Sequence, residues 1–445
     1  MKKLFKKLST FQLIIISFAL IILLGTVLLT LPVSSKAKCF NPFSDALFTA
    51  TSATCVTGLV VHDTATYWSN FGQVVILLLI QIGGLGIITI SMWVLSLSGK
   101  KVSLRQRETV QESISSSRSG GIIKFTSFAI KTTVLFELLG AIALAFPFCS
   151  EFGTVSGIKY AVFHAVSAFC NAGFDLMGVK EPYSSLTSYS SNPLVNITVM
   201  LLIVIGGLGF LTWEDVKTNK IHIKKYRMQS KVILAVTAVL IFIPAVWLFF
   251  AGMKNTSEMS IPQRIFTALF QSVTLRTAGF NTVNLSNIKS ASIMMMILLM
   301  LIGGSPGSTA GGMKTTTLAV LIASAFSVFR KNKQTRMFKR SIAEAKVNDA
   351  SAILLFYIVM FLSASVAVCT LESIPLKDCL FECASALGTV GLTLGITPQL
   401  HTASKLILIA LMFLGRVGGL TFIYAAGSAK KFDISKYPQE NITVG

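Results

Sequence analysis

One pattern occurs four times along this chain of 445 residues. A short segment ends in a small-residue–glycine motif, and a long apolar run follows with glycine or arginine at its middle. The first elements are Val56-Thr57-Gly58, Asn171-Ala172-Gly173, Thr277-Ala278-Gly279 and Thr389-Val390-Gly391. The second are Gly83-Gly84-Leu85-Gly86, Gly206-Gly207-Leu208-Gly209, Gly303-Gly304-Ser305-Pro306-Gly307 and Gly415-Arg416-Val417-Gly418-Gly419. The motif glycines stand 115, 106 and 112 residues apart, and each precedes the first mid-run glycine of its unit by 25, 33, 24 and 24 residues. Four quasi-equivalent units in one chain can surround one axis, and an axis lined by backbone carbonyls suits a cation. The second unit alone deviates in spacing. Its Ser/Tyr/Asn-rich stretch from Pro182 to Asn192 reads as a longer outside loop, which a repeat tolerates at the surface.

Composition sets the solvent. The chain is 53% hydrophobic and only 13% charged, against roughly 25% charged residues in a soluble protein. Apolar stretches near 20 residues recur, the length that crosses a hydrocarbon layer of about 30 Å. No polar stretch is long enough to house a soluble domain. The net charge of +21 gathers in short segments between apolar runs, which points away from nucleic acid. Seven cysteines (Cys39, Cys55, Cys149, Cys170, Cys369, Cys379 and Cys383) show no CxxC unit and read as small buried hydrophobes. The lysine-rich start resembles a signal peptide, but the apolar run from Phe11 to about Leu31 is too long for one and reads as a first span.

Eight spans are expected, at about 11–34, 73–97, 125–147, 194–213, 231–251, 289–325 with an interruption, 350–371 and 404–426. Between the members of each pair lie shorter apolar segments at 43–55, 158–170, 262–275 and 376–387. These are too short to cross and are read as re-entrant helices. The expected fold class is therefore all-α integral membrane, with four tandem helix–pore-loop–helix units around a pseudo-fourfold central pore. The units are 1–98, 99–216, 217–329 with a broken inner helix, and 330–445. Lys2, Lys3, Lys6 and Lys7, the linkers at 100–124, 217–231 and 330–346, and Lys430, Lys431 and Lys436 fall on one side if the spans number eight. By the positive-inside bias, both termini and these linkers are cytoplasmic, where they also suit anionic lipid.

A cation inside hydrocarbon must have its hydration replaced, and rings of backbone carbonyls do this without a carboxylate that would trap it. Turning successive carbonyls inward needs dihedrals that glycine adopts at little cost. The candidate filter thus comprises Val56, Thr57, Gly58, Asn171, Ala172, Gly173, Thr277, Ala278, Gly279, Thr389, Val390 and Gly391. Gly-Gly in an apolar helix ordinarily means close helix packing, but two units depart from that. The third carries Gly303, Gly304, Ser305, Pro306, Gly307, Ser308, Thr309, Ala310, Gly311 and Gly312 in succession, which no continuous helix accommodates. It is read as the one clearly broken inner helix. In the fourth, Arg416 stands where the others have Gly84 or Gly207, and a mid-membrane arginine should face the axis or a partner. Together with Lys314, these residues form a candidate gate beneath the filter. The P-loop likeness of 307–315 fails because Met313 separates Gly312 from Lys314. His62, His164, His222 and His401 share no ligand spacing. No nucleophile–base pair is present, so no enzyme is expected.

These residues resemble the superfamily of potassium transporters that includes the bacterial Trk and Ktr translocating subunits and their fungal and plant relatives. The likeness covers essentially the whole chain and is greatest for the Ktr-type B subunit. It implies potassium uptake through the filter glycines Gly58, Gly173, Gly279 and Gly391, with K+ held by backbone carbonyls. It also implies an intramembrane gating loop at 303–315 and a gate arginine at Arg416. As to partners, it implies a homodimer in the bacterial plasma membrane on a cytoplasmic ring of nucleotide-binding regulatory subunits, with no organic cofactor on this chain. One filter glycine per unit, unlike the TVGYG of potassium channels, implies looser selectivity, with Na+ stimulating or leaking. An alternating-access cation symporter is the alternative reading. It is disfavoured because the repeat is fourfold and parallel.

Overall fold

The computed structural model describes residues 9–86, 122–252, 259–285, 288–332 and 334–426. The lysines of the extreme N-terminus, the basic run 100–121, the continuation of the second span over 87–97 and the basic tail lie outside the described residues. Four outer helices begin the four units: α1 (Thr10–Thr30), α4 (Ile122–Phe152), α8 (Met228–Trp247) and α12 (Glu344–Glu372). Each is long and apolar enough to cross a membrane, α8 together with one turn of π-helix to Gly252. Their exposed large side chains, such as Leu24, Leu138, Ile243 and Leu355, form the apolar exterior that a lipid phase requires.

Each outer helix is followed by a short helix: α2 (Phe43–Thr54), α5 (Thr154–Phe169), α9 (Ile261–Thr274) and α13 (Leu376–Gly388). These have 12, 16, 14 and 13 residues. At 1.5 Å per residue they reach about 18–24 Å, short of a hydrocarbon thickness of about 30 Å. Their C-terminal turns are wholly buried, as in the run Phe48–Thr54. Three start on polar or proline caps, with Ser260 Oγ accepting from the Gln263 N–H in the third and Pro42 and Pro375 before the first and fourth, while the second starts on Gly153. They end where the glycine motifs begin.

The inner helices are α3 (Asn70–Leu85), α6 (Pro193–Gly207) continued by α7 (Phe210–Asn219), α10 (Ser290–Met300) continued by α11 (Thr315–Phe329), and α14 (Thr402–Val417) continued by α15 (Gly419–Ala426). The expectation of a single broken inner helix is corrected here. The spans expected as continuous over 194–213 and 404–426 bend by 96° and 93°. The cause is backbone conformation at one repeated glycine. Gly209 (φ 86, ψ 144) and Gly418 (φ 92, ψ 139) occupy a region closed to other residues, and Gly86 (φ 82, ψ 130) ends α3 in the same way. In the third unit the break widens to the whole stretch 301–314.

The units close into a ring by one packing rule. The inner helix of each unit lies against the short helix of the next: α3 on α5, α6 on α9, α10 on α13, and α14 back on α2. A cyclic order 1-2-3-4-1 follows, with the short helices innermost. The stretch from Pro182 to Asn192 is more than a tolerated surface loop. Leu186 is fully buried, Tyr183 N–H donates to Asp63 of the first unit at 3.1 Å, and Leu186 N–H donates to Asn281 O of the third at 3.0 Å. It straps three units together. A pair of two-residue strands, β1 (Arg336–Met337) and β2 (Arg340–Ser341), lies in the linker before α12.

Candidate functional site

The four motifs meet at the centre in the same conformation. Val56, Asn171, Thr277 and Thr389 all have left-handed φ, between 52° and 64°, and the glycine two residues on is left-handed again, between 69° and 92°. A β-branched residue held there costs about 1–2 kcal/mol. Strain repeated at four equivalent places marks a backbone shaped for something other than stability. Hydrogen bonds to the short helices hold it. Thr57, Ala172 and Val390 N–H groups each donate at 2.8 Å to a carbonyl five residues back, and Ser52 and Ser385 accept from Gly58 and Gly391 N–H at 3.1 and 3.0 Å. The third unit differs, since Ala278 N–H bonds four residues back to Thr274 at 3.0 Å. There Val273 replaces the serine.

The glycines form a closed ring. A Cβ placed on Gly58 would lie 2.5 Å from the Ala172 carbonyl oxygen; on Gly173, 2.8 Å from Ala278 O; on Gly279, 2.7 Å from Val390 O. On Gly391 it would strike Thr57 O, which returns to the first unit. Each glycine thus supports the carbonyl of the residue before the next unit's glycine, so a side chain at one position displaces a neighbour's carbonyl. The hydroxyls of Thr57, Thr277 and Thr389 are buried without a protein partner.

Beneath the ring lies the third-unit excursion. Ser305 and Thr309 N–H donate to Gly207 and Gly206 carbonyls at 3.1 and 3.3 Å, and Phe210 N–H donates to Gly307 O at 2.9 Å. Thr309 Oγ1 reaches Phe169 O at 3.1 Å, and Gly312 N–H reaches Gly415 O at 3.1 Å. Pro306 and Ser308 lie on this same arc, and Gly303 and Gly304 N–H close it on Met313 and Gly311 carbonyls at 2.7 and 3.3 Å. The segment is therefore ordered and pinned to the inner helices of the second and fourth units. Lys314 Nζ folds back to Ala310 O at 2.8 Å.

Arg416 completes the arrangement. Its guanidinium donates to Thr309 O of the third unit and to Gly83 O and Gly84 O of the first, the last at 3.0 Å. One side chain thereby ties three units. Among the described residues no carboxylate pairs with it, so its charge is met by carbonyl dipoles alone. Arg416 and Lys314 border a cavity of about 220 Å³ between the excursion, α1, Gly86 and the bend at Gly418. A cation in that cavity would meet the positive charge of Arg416.

Two features escaped the sequence reading. The bends at Gly209 and Gly418 had a visible signal, since glycine recurs at the fourth place of three motifs, Gly86 included. The first mid-helix glycines serve the close packing expected of them, because a Cβ on Gly83, Gly206 or Gly415 would enter the carbonyl at the end of its own short helix. The second missed feature is Glu137 on α4, buried behind the second motif. Its carboxyl meets Gln81 Nε2 at 3.3 Å and the Cys170 thiol at 3.8 Å, with no cation in reach among the described residues. At the N-terminal ends of α2 and α14, Asp45 joins His62 and Lys405 at 3.0 Å each, linking first and fourth units. Asp175 follows Gly173 by two residues; burial and the charge of Asp63 push its carboxyl up to about 7. No group of three or more His, Cys, Asp or Glu that could hold a metal ion occurs among the described residues.

This geometry, four helix–loop–helix units closed around a ring of backbone, defines a polytopic membrane protein with fourfold pseudo-symmetry. The TrkH family model, described as a cation transport protein, matches residues 5–434, and the chain belongs to that family. It is 39% identical over 455 residues to the potassium/sodium uptake protein NtpJ of Enterococcus hirae, covering 100% of this chain and 99% of that one. It is 38% identical over 439 residues to the Ktr system potassium uptake protein B of Bacillus subtilis, covering 98% and 96%. The crystal structure of the potassium transporter TrkH from Vibrio parahaemolyticus superposes with a TM-score of 0.70 at 19% identity, over 92% of this chain and 84% of that one. That likeness shows the shared fold.

Proposed function

We propose that the chain is a potassium-uptake pore of the bacterial plasma membrane, with the glycine ring as selectivity filter and the 303–315 excursion with Arg416 as its gate. The observation that carries this reading is the cyclic closure of Gly58, Gly173, Gly279 and Gly391, each seated on the next unit's carbonyl. Twelve residues, Val56 to Gly58 and their three counterparts, then offer K+ its coordination from backbone oxygens, supplemented by the partnerless threonine hydroxyls. The excursion crosses directly below, held by Arg416, whose positive charge at the cavity opposes cation exit. Opening requires the Arg416 ties to Thr309, Gly83 and Gly84 to part.

The basic linkers and both termini lie in the cytoplasm, where the cluster from Arg330 to Lys346 directly follows α11, the helix beneath the break. A nucleotide-binding regulatory ring docked there would pull on the gate through that helix, with the pore as a homodimer above it. Sodium acts as a stimulating or leaking ion, in keeping with the potassium/sodium naming of the Enterococcus hirae relative. The experiment is K+ flux from liposomes containing the purified chain, with and without the regulatory subunit and its nucleotide. Passive, saturable K+ flux that the subunit modulates is expected. Obligatory exchange or fixed-stoichiometry coupling to a second ion would overturn the pore.

A further inference from the structure

The outer end of the fourth unit carries an arrangement of thiols that the ion pathway does not use. Helix α12 ends at Ser373 in a left-handed cap (φ 53) whose N–H bonds back to Cys369 O at 3.0 Å. Two residues on, Pro375 starts α13 and accepts the Cys379 N–H at 3.3 Å. This tight reversal lays the last turn of α12 against the first turn of α13. The Cys369 and Cys379 thiols consequently converge on one acceptor, the Ile374 carbonyl oxygen, at 3.4 and 3.9 Å.

We propose that Cys369 and Cys379 form a reversible disulfide site, closed by small disulfide oxidants that reach the outer face of the membrane. Sharing one acceptor across a tight turn brings the two sulfurs to the same carbonyl, the approach from which a disulfide closes. The setting gives the order of events. Cys369 is partly exposed and Cys379 buried. Around them lie polar groups, with exposed Ser373, the Glu372 carboxylate accepting the His401 N–H at 2.8 Å, and Lys377 beside Asp378. A water-soluble oxidant therefore meets Cys369 first. The Cys369 thiolate attacks the small disulfide and releases one small thiol, leaving a mixed disulfide. The Cys379 thiolate then attacks the Cys369 sulfur and expels the second small thiol. One protein S–S bond forms, one small S–S bond is lost, and the two protein thiol protons end on the two released thiols.

The other cysteines lack this geometry. Cys149 bonds to the Thr154 carbonyl, Cys170 faces Glu137 and Gln81, and Cys55 is buried. Cys383 lies one turn beyond Cys379 on the same helix and is buried. The bridge would fasten the start of the short helix whose far end carries Thr389-Val390-Gly391 to the outer helix of the same unit.

The outer placement rests on the orientation proposed above, and the test separates the two. Intact cells producing the full chain are treated with oxidised glutathione, which does not cross membranes, or with diamide, which does. Free thiols are alkylated, and the protein is digested with trypsin, which cuts after Lys377 between the two cysteines. The expected result with either reagent is a linked peptide pair two hydrogens lighter than its separate parts, for most of the protein. Reductant should separate the pair, and Cys369→Ser or Cys379→Ser should abolish it. A bridge formed by diamide alone would keep the site and overturn the orientation. If both cysteines remain individually alkylated after both reagents, or pair with other cysteines, the site itself is overturned.

Discussion

The glycine ring and the layer beneath it are built from the same four units yet obey different rules. In the ring every unit contributes the same backbone: a left-handed residue, a second carbonyl, and a glycine resting on the next unit. One layer down the four inner helices part company. One ends at Gly86, two bend by more than 90°, and one opens into a fourteen-residue excursion, while a single arginine ties three of them. An ion on an axis must be met from all sides at once, so any one unit that drifts spoils the site for the others. A barrier needs to be closed only at one place. Symmetry is retained where all four units act together, and asymmetry accumulates where one unit suffices.

The largest effect is expected at the ring. Gly58→Ala or Gly391→Ala puts a Cβ into the neighbouring unit's carbonyl and a side chain at φ 92. The left-handed backbone alone costs about 1–2 kcal/mol, so a loss of K+ over Na+ preference of about tenfold or more is expected in competitive uptake at matched protein level. Equal losses at all four glycines would sustain the rule of equivalence; a ring that tolerates alanine at any one of them would refute it.

In the lower layer effects should be unequal between units. Deleting 305–311 removes the obstruction while the ring remains, and initial K+ flux should rise several-fold in liposomes. Arg416→Ala releases three charge-assisted bonds, of which even one contributes about 1.5 kcal/mol, and flux should rise by up to about tenfold. Arg416→Lys, which keeps the charge without the guanidinium fork, should fall between. Loss of transport in both folded variants would instead make the excursion part of the conduction path.

The smallest effect concerns the outer approach. With its carboxyl pushed up to about 7, Asp175 is protonated at pH 6 and ionised at pH 8. Uptake at low K+ should therefore rise by about twofold across that window, since the new negative charge attracts cations toward the mouth. Because the folded value lies above the ordinary carboxylate value, the same group loses stabilisation as pH climbs from about 4 through 7. Asp175→Asn should flatten both trends, and an unchanged uptake profile in that variant would remove Asp175 from the ion's route.

What the sequence determined by itself is whatever repeats or follows directly from composition. Apolar runs of spanning length, four short helices and four motif glycines were legible because membrane depth and left-handed backbone each admit few residue types. The short helices begin and end within a few residues of the expected bounds. The third-unit break was legible for the same reason, since five glycines and a proline cannot stay helical. The bends at Gly209 and Gly418 were not recognised, because one glycine in an apolar run is equally compatible with close packing, and only the path of the surrounding helices distinguishes the two. Tertiary structure alone decided which carbonyls Arg416 would grip, that Glu137 would sit behind the second motif, and that the stretch from Pro182 to Asn192 would strap three units. Most of these contacts join different units of the ring, and even that of Glu137 with Cys170 spans 33 positions. Local chemistry sets what a residue can bond to, but chain topology sets which partner comes within reach.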